Sequence, residues 1–437
     1  MNSHPPITLP ITRRHAIGCL LAALAAPRLR AQEKTTDYAG DVEFLLGELE
    51  KQAGQFFETK HIDWKAVAAQ FRREVADVHD DIAHVKLCNR LIAQLRDGHA
   101  GLLDLKVKMP DESNGRRFTG PRVHLVEIGE RVFVRQSFGA GAALGVDPGT
   151  EIVAIDGVPI REWIEKTVTR LCNERGYSTE HVARYYACHT GLADWEGTKI
   201  EFTFLKDGAR KSATVTRSGG PNFVPIGPIF PPKDMQRVGR QSYGKTAGGF
   251  AYIHLRDVPG NLPEQLDTML AAVGDAPGII LDTRANGGGG CDHAAVFGRF
   301  VPEGKPWRQY ASAGAKPFAG PMVVIVDAGV RSAGETVAGQ FKEDGRALMI
   351  GDAPTSGMSS QKTKVAVPSG LFAAYFSIAS NKGRFNGGRG IEGLGVPPNI
   401  VTPYDAEDLA QGVDTQIRRA EEFLTKGLPK EQVAWPG

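Results

Sequence analysis

The chain has 437 residues, with 52 lysines and arginines against 50 aspartates and glutamates. A net charge of +2 excludes the strongly basic surface that nucleic acids or anionic membranes attract, so we expect no nucleic-acid partner. The length allows two or three domains with a sizeable core.

The first 32 residues have the pattern of an export signal. Arg13 and Arg14 precede an apolar run over 16–26, and a cleavage site with small residues ends at Ala31. The paired arginines indicate the twin-arginine route, so we predict an exported, periplasmic protein. No other stretch reaches the roughly 18–20 apolar residues that span a bilayer, and no membrane span is expected.

Four cysteines follow this signal. Cys172 and Cys188 are the only close pair, and an exported protein can form disulfides. Their pairing stays open because connectivity does not follow from spacing. Cys291 adjoins a glycine run, and we interpret it as a small packing residue rather than a nucleophile.

Residues 33–115 are predicted to form a helical cap. Apolar residues recur at helical spacing in three segments between 37 and 96. Gly98 ends the third helix, and His99 stands on the connection into a strand predicted at 102–107. No apolar periodicity places His99 in a core. Two interpretations therefore stay open, a solvated histidine and a functional one.

His79 and His84 are the histidines considered for a metal site. Five residues separate them, so they do not share one face of a helix. We therefore expect no metal and no cofactor, and interpret both side chains as solvated.

Residues 116–217 are predicted to form a separate small β-rich module. A hairpin is predicted at 123–136, and a strand at 151–155 ends in an Asp-Gly turn. A helix at 161–170 and two closing strands complete the module.

The pattern changes after residues 218–246, which are rich in glycine and proline and are predicted to be a linker. Strand–helix alternation over 247–405 predicts an α/β core with a parallel sheet covered by helices. Residues 406–437 are predicted to be a terminal helix with a polar tail.

A glycine loop over 287–290 follows a buried strand predicted at 278–282. It lacks the lysine and hydroxyl residue of a phosphate-binding loop and the spacing of a dinucleotide-binding loop. Its glycines would let backbone N–H groups approach a reacting carbonyl, or they would only make the loop flexible.

Ser332 is the candidate nucleophile. A buried strand predicted at 322–326 is followed by a turn, and Ser332 stands at the mouth of a helix predicted at 333–341. Its hydroxyl would lie beside unpaired N–H groups at the positive end of the helix dipole. Ser332 and Glu335 also match a capping box, in which the serine only caps the helix.

Together these segments resemble the C-terminal-processing (tail-specific) serine peptidase family over nearly the whole mature chain. The motifs, in family order, are Asp97-Gly98-His99, 151–157, 281–288, 331–335, Gly351-Asp352 and 391–399. The resemblance implies a ClpP/crotonase-like core with an N-terminal helical cap and an inserted PDZ-like domain at 116–217. It also implies Ser332 as the nucleophile, with an oxyanion hole made by the backbone N–H groups of Gly288 and Ala333.

The sequence departs from many family members at the base. They carry a lysine in a Gly-Lys-Gly turn where this chain has Gly357 and Met358, and methionine cannot accept a proton. The tricorn-like branch instead uses a cap histidine and a glutamate, which His99 and Glu392 match. A histidine oriented by a carboxylate has the pKa that such a base needs. Lys362 stays as an alternative base, although the alternating pattern of the residues around it predicts an exposed position on a strand.

The sequence therefore predicts a serine endopeptidase that forms an acyl-enzyme on Ser332. Its partner is a peptide or protein substrate, whose C-terminus the PDZ-like domain can capture. The alternative is a catalytically inactive peptide- or apolar-ligand-binding protein on the same fold, with Phe372, Tyr375 and Phe376 around a pocket. We interpret that trio as strand core. A crotonase-type acyl-CoA enzyme would need a cytosolic cofactor, which disagrees with export.

Overall fold

The computed structural model describes residues 36–218, 226–358 and 360–435. The predicted export signal at 1–32, with Arg13 and Arg14, lies outside the described residues, as does part of the predicted linker. Within these described ranges, no helix has both the length and the apolar character needed to cross a membrane.

Three helices form the N-terminal cap, as the apolar spacing predicts. They are α1 (Tyr38–Ala53), α2 (Trp64–Glu74) and α3 (Asp81–Ala93). Each begins at an aspartate, Asp37, Asp63 or Asp80, whose carboxylate accepts a backbone N–H of the first turn. The strand after them, β1 (Gly101–Leu103), is shorter than the predicted 102–107, because Asp104 leaves extended backbone with a φ of 53°.

His84 corrects one prediction in the cap. Its side chain is fully buried rather than solvated, and its Nε2 lies 3.0 Å from Asp41 Oδ2. The buried carboxylate supplies the polar partner that an interior imidazole requires.

The β-rich module predicted at 116–217 is present as an insertion after the cap. Its strands are β2 (Phe118–Thr119), β3 (Val123–Ile128), β4 (Arg131–Ser137), β5 (Glu151–Ile155), β6 (Val158–Pro159), β7 (Asp194–Trp195), β8 (Lys199–Lys206) and β9 (Ala209–Thr216). Its helices are α4 (Ala140–Ala143), α5 (Ile160–Glu174) and α6 (Glu180–Ala187). The main sheet has the order β3-β4-β5-β8-β9, with β6 paired to β5. The sequence did not predict α6, which begins at the N-cap Thr179.

Cys172 and Cys188 do not pair in this module. Both are free thiols, and Cys188 is buried, which raises its pKa. The question that the sequence left open is therefore answered in favour of two separate thiols.

The core follows the module. Its strands, together with a returning hairpin, are β10 (Gln236–Val238), β11 (Gln241–Lys245), β12 (Ala251–His254), β13 (Ile279–Asp282), β14 (Met322–Val326), β15 (Leu348–Gly351), β16 (Ser360–Ala366), β17 (Ala373–Ser380) and β18 (Ile400–Val401). Its helices are α7 (Leu262–Val273), α8 (His293–Gly298), α9 (Ala333–Glu343), α10 (Ala406–Ala410) and α11 (Thr415–Lys426). The predicted single terminal helix is divided, because Gly412 takes a φ of 71° between α10 and α11.

The core sheet has the order β10-β11-β12-β13-β14-β15-β18, and it is parallel from β12 to β18. The predicted α/β class, with a cap and an inserted β-rich module, is confirmed. Alternate residues of β14 face opposite layers: Val324 packs with α7 and α9, whereas Val323 and Ile325 pack with α11. The strands β10 and β11 lie in the predicted linker and extend this sheet with antiparallel pairs.

The hairpin of β16 and β17 returns to the cap. There it forms a second sheet with β1, in the order β1-β17-β16. Phe372 and Phe376 are buried in the apolar cluster of the cap helices. This burial supports the interpretation of Phe372 and Phe376 as core residues. The hairpin also brings the next segment of chain, which contains Glu392, toward the cap.

Candidate active site

Ser332 lies in a sharp turn between β14 and α9. Its φ of 56° and ψ of −131° are unusual for a residue with a side chain. The side chain is half-buried, and Ser332 is the N-cap of α9. The N–H of Ala333, the first residue of the helix, has no hydrogen-bond acceptor among the described residues. A hydroxyl and a free N–H therefore stand side by side at the carboxyl edge of the parallel sheet.

The glycine loop after β13 packs directly on this turn. A Cβ added to Gly288 would lie 2.6 Å from the Cβ of Ser332, and the φ of Gly288 is 79°. Only glycine fits here, because any side chain would collide with Ser332 and would rarely adopt this positive φ. Arg331 N–H donates to the carbonyl of Asn286 at 3.0 Å, which fixes the loop against the turn.

The N–H of Gly288 is already engaged. It donates to Asn286 Oδ1 at 2.9 Å, while the Asn286 amide donates to the Leu255 carbonyl at 2.7 Å. In this conformation Ala333 presents a free N–H, whereas Gly288 does not. An oxyanion could use the Gly288 donor only after the Asn286 bond opens or is shared.

His99 is held on the loop that leaves α3. Its own N–H donates to Asp97 Oδ1 at 2.9 Å, and Asp97 Oδ2 accepts from the Ser377 N–H of β17 at 2.7 Å. The N–H of Gly98 donates to Ser178 Oγ of the β-rich module at 3.0 Å. Two separate elements thus fix the position of the His99 backbone.

Glu392 is buried beside His99. Its Oε1 accepts from Lys60 Nζ at 2.7 Å and from Ser178 Oγ at 3.1 Å. Its Oε2 and the Nδ1 of His99 are both buried without a hydrogen-bond partner among the described residues. One ligand atom from each of Asp97, His99 and Glu392 lies within 4.8 Å of the others. The imidazole of His99 and the carboxylates of Asp97 and Glu392 therefore lie together in one small volume.

The same burial shifts both side chains toward their neutral forms. Burial, with the nearby charge of Lys362, lowers the pKa of His99 to about 4. Burial raises the pKa of Glu392 to about 7, although the Lys60 ammonium opposes that change. A hydrogen bond between the two would favour the charged pair and move the two pKa values in opposite directions.

Glu335 connects the serine turn to the histidine loop. Its Oε2 accepts from the N–H groups of Ser332 at 3.1 Å and Met358 at 2.9 Å. Its Oε1 accepts from Gly357 N–H at 2.7 Å and Thr355 Oγ1 at 2.6 Å. Met358 in turn packs on Gly98, where an added Cβ would lie 2.8 Å from its Sδ. Ser332 and His99 thus sit on two backbone segments that one buried carboxylate and one methionine join.

Met358 occupies the position where many relatives are expected to carry the lysine base, and it serves here as packing. Lys362 is half-buried on β16 rather than exposed, opposite Ser377. After burial, the charge of Lys362 is the next cause that lowers the pKa of His99.

The sequence did not indicate Lys60 or Ser178 as parts of this site. Lys60 lies in a turn between two cap helices and Ser178 in a loop of the module, and neither belongs to a recognisable motif. The sequence indicates Glu335 only as half of a capping box. Its additional bonds to 355–358 depend on tertiary structure.

Comparison with known proteins gives two kinds of similarity. Residues 249–402 match the model of peptidase family S41. A carboxyl-terminal-processing protease from Picosynechococcus sp. is 21% identical over 399 residues, which are 86% of this chain and 86% of the relative.

Solved structures share the fold. Mature CPAF complexed with lactacystin has a TM-score of 0.64 at 12% identity, covering 89% of this chain and 97% of the other. Mature CPAF has a TM-score of 0.63 at 12% identity, covering 89% and 95%. At this identity the likeness describes the architecture alone.

Proposed function

From the peptidase family S41 domain that the chain carries at residues 249–402, we propose that this protein is a serine peptidase. We propose that Ser332, His99 and Glu392 form its catalytic triad. The observation that carries the proposal is that His99, Asp97 and Glu392 each place one ligand atom within 4.8 Å of the others, while His99 Nδ1 and Glu392 Oε2 are buried without a partner among the described residues. A buried polar atom without a partner is costly, and such atoms concentrate at functional sites.

In the proposed reaction, Ser332 Oγ attacks the carbonyl carbon of the scissile bond and gives its proton to His99. Nδ1 of His99 is buried without a hydrogen-bond partner among the described residues, and we assign to it the bond to Glu392, which leaves Nε2 for the serine proton. Glu392 then holds the imidazole in one tautomer and stabilises the imidazolium. The charge of Asp97 partly counters the burial that lowers the pKa of His99.

The oxyanion forms next to Ala333, whose N–H has no acceptor in the part of the chain that the structure describes. Gly288 is the proposed second donor, once its bond to Asn286 Oδ1 opens. Collapse of the tetrahedral intermediate breaks the peptide bond, and His99 returns its proton to the leaving amine. A water molecule, deprotonated by His99, then hydrolyses the acyl-Ser332 ester.

Lys362 is the alternative base within this proposal. Its charge acts on His99, yet a lysine must lose its proton in an apolar environment before it can serve, and Lys362 is only half-buried. The histidine is therefore preferred.

We propose further that the peptide substrate is presented by its C-terminus to the module at 116–217, as the name of the Picosynechococcus relative and the predicted PDZ-like character suggest. Export through the signal at 1–32 belongs to the same proposal. Changing Arg13 and Arg14 to lysines should retain the protein in the cytoplasm, and unchanged export would contradict the twin-arginine route.

The test of the triad combines a fluorophosphonate probe with a peptide library. Wild-type protein should label on Ser332 and cleave peptides, whereas Ser332→Ala and His99→Ala should each lose cleavage. Ser312→Ala and His79→Ala are matched controls away from the site. Full cleavage by either triad variant refutes the assignment, and an unlabelled, inactive wild type supports the binding-protein alternative.

A further inference from the structure

Three side chains around the histidine loop bring metal-binding atoms together. Asp97, His99 and Glu392 each place one ligand atom within 4.8 Å of the others. Two carboxylates and an imidazole are a donor set that zinc uses in proteins. The cluster joins the end of the cap to the segment after β17, so it forms only when the chain folds.

The distances in this cluster need little closure to bind an ion. Zinc holds nitrogen and oxygen ligands at about 2.0–2.2 Å, so two ligands of a tetrahedral ion lie roughly 3.4 Å apart. Atoms that already lie within 4.8 Å of one another must approach by about 1.4 Å at most. Small side-chain rotations supply a movement of that size, and the backbone can stay in place.

The ligand atoms also have lone pairs left for a cation. Glu392 is 2% exposed, and its Oε1 already accepts from Lys60 and Ser178, whereas its Oε2 has no hydrogen-bond partner among the described residues. Nδ1 of His99 is likewise buried without a partner in the described ranges. Each oxygen of the buried Asp97 accepts one backbone N–H, which leaves a second lone pair on each. Buried acceptors without a donor are groups that a bound ion satisfies.

We propose that Asp97, His99 and Glu392 bind a divalent transition-metal ion, Zn²⁺ fitting best, and that this ion inhibits the protein reversibly. Three protein ligands leave a fourth position of tetrahedral zinc for water. Mg²⁺ and Ca²⁺ require six or more oxygen ligands, which this cluster does not supply. Metal binding is independent of the proposed function, whereas the inhibition rests on it.

The inhibition follows from the chemistry of the imidazole. A neutral imidazole has one basic lone pair, because its other nitrogen carries the proton. A metal ion on that lone pair prevents His99 from taking the proton of Ser332 Oγ. The same ion on Glu392 removes the negative charge that would stabilise an imidazolium. Cleavage and fluorophosphonate labelling should therefore fall together, and a chelator should restore both.

The neighbouring cations limit the affinity of this site. The charges of Lys362, Arg331 and Lys60 act on the imidazole and lower its pKa. Lys60 also bonds Glu392 Oε1 at 2.7 Å, which offsets part of the carboxylate charge. A divalent ion is repelled by these groups, so removing one of them should strengthen metal binding.

Calorimetric titration of the untagged full chain with ZnCl₂ tests the site. We expect one ion per chain in the wild type and in Ser332→Ala. His99→Gln and Glu392→Gln should each weaken the affinity by roughly tenfold or more, since each variant loses one of three ligands. His79→Gln and Glu58→Gln, at exposed positions of the cap, are matched controls. Undiminished affinity in both ligand variants overturns the proposal.

Two further measurements do not depend on whether the ligand variants fold. Lys362→Gln should bind Zn²⁺ several-fold more tightly, and weaker binding would contradict the cluster. Co²⁺ in place of zinc should show absorption from nitrogen and oxygen ligands alone. The half-buried thiols of Cys172 and Cys291 are the competing ligands, and blocking them with iodoacetamide should leave binding intact. A thiolate charge-transfer band, or loss of binding after blocking, assigns the ion to cysteine and overturns the proposal.

Peptide cleavage with and without saturating Zn²⁺ separates this inference from the proposed catalysis. Inhibition that EDTA reverses, with the Kd of the calorimetric titration, supports both. Binding that requires His99 in a protein without cleavage or labelling would support the metal site and refute the peptidase. The same binding in a peptidase that zinc does not slow would refute the inhibition and also His99 as the base.

Discussion

The ammonium of Lys60 lies 2.7 Å from Oε1 of Glu392, and both side chains are almost completely removed from solvent. The two residues are 332 positions apart in the chain. The lysine and Ser178 both bind Oε1, and the other oxygen, Oε2, is left without a hydrogen-bond partner among the described residues. Such a pair can both stabilise the fold and keep a buried glutamate charged.

Replacing Lys60 by methionine should therefore impair both stability and activity. An uncompensated buried carboxylate costs about 3–5 kcal/mol, which denaturant unfolding will measure. Lys51→Met is the control, because that lysine is 74% exposed. The double variant Lys60→Met/Glu392→Gln should recover most of the stability without recovering cleavage. Recovery of both would argue against a catalytic role for the carboxylate.

The pH dependence of kcat/KM should show an acidic limb near pH 7. Burial raises the pKa of Glu392 to about 7, so below that pH the carboxylate is protonated and no longer stabilises the imidazolium. Because the pair titrates together, the limb belongs to the His99–Glu392 dyad.

In Glu392→Gln, activity should fall and the remaining limb should move toward pH 4, where burial places the pKa of His99. Glu58→Gln, at an exposed position of the cap, should leave the profile unchanged. A limb that stays near pH 7 in Glu392→Gln would assign it to another group.

Gly288→Ala should lower kcat by roughly 10²–10³. The added methyl would lie 2.6 Å from the Cβ of Ser332 and 3.3 Å from Ala333 N, so the nucleophile and the free donor must both shift. Gly287→Ala is a close control, since its added Cβ meets no atom nearer than 4.0 Å. Similar kinetics for the two variants would contradict a tight oxyanion site.

Glu335→Gln should lose both stability and cleavage. The amide can accept on only one oxygen, and its NH2 group would meet the N–H donors of Ser332 and Met358. We expect a loss of roughly 1.5–3 kcal/mol in the free energy of unfolding. Glu343→Gln, on the last turn of the same helix, is the control. If the purified Glu335→Gln protein kept wild-type kcat, the turn would not depend on this carboxylate.

Local patterns were sufficient to predict the parallel core. The structure has β14 at Met322–Val326, with the predicted boundaries, and α9 begins at the predicted Ala333, because both elements are bounded by strong sequence signals and buried on regular faces. The strands β10 and β11 were missed because their glycine- and proline-rich surroundings predict a loop, while pairing with β12 determines their extended state.

Of the candidate site, the sequence indicates only the residues that lie in a motif. Ser332 and His99 stand at element ends that the sequence indicates, whereas the partners of Glu392 depend on how the cap and the module pack. The engagement of Gly288 N–H by Asn286 is likewise a matter of side-chain placement that no spacing rule contains.

The cap contributes Lys60 and His99, the module contributes Ser178, and the core contributes Ser332 and Glu392. If these residues form the proposed triad, a polypeptide that is still folding, or one clipped between these parts, would contain every reacting group and yet lack a working centre. The proposed cleavage would then begin only after synthesis and assembly are complete, without a separate inhibitor having to be made and removed.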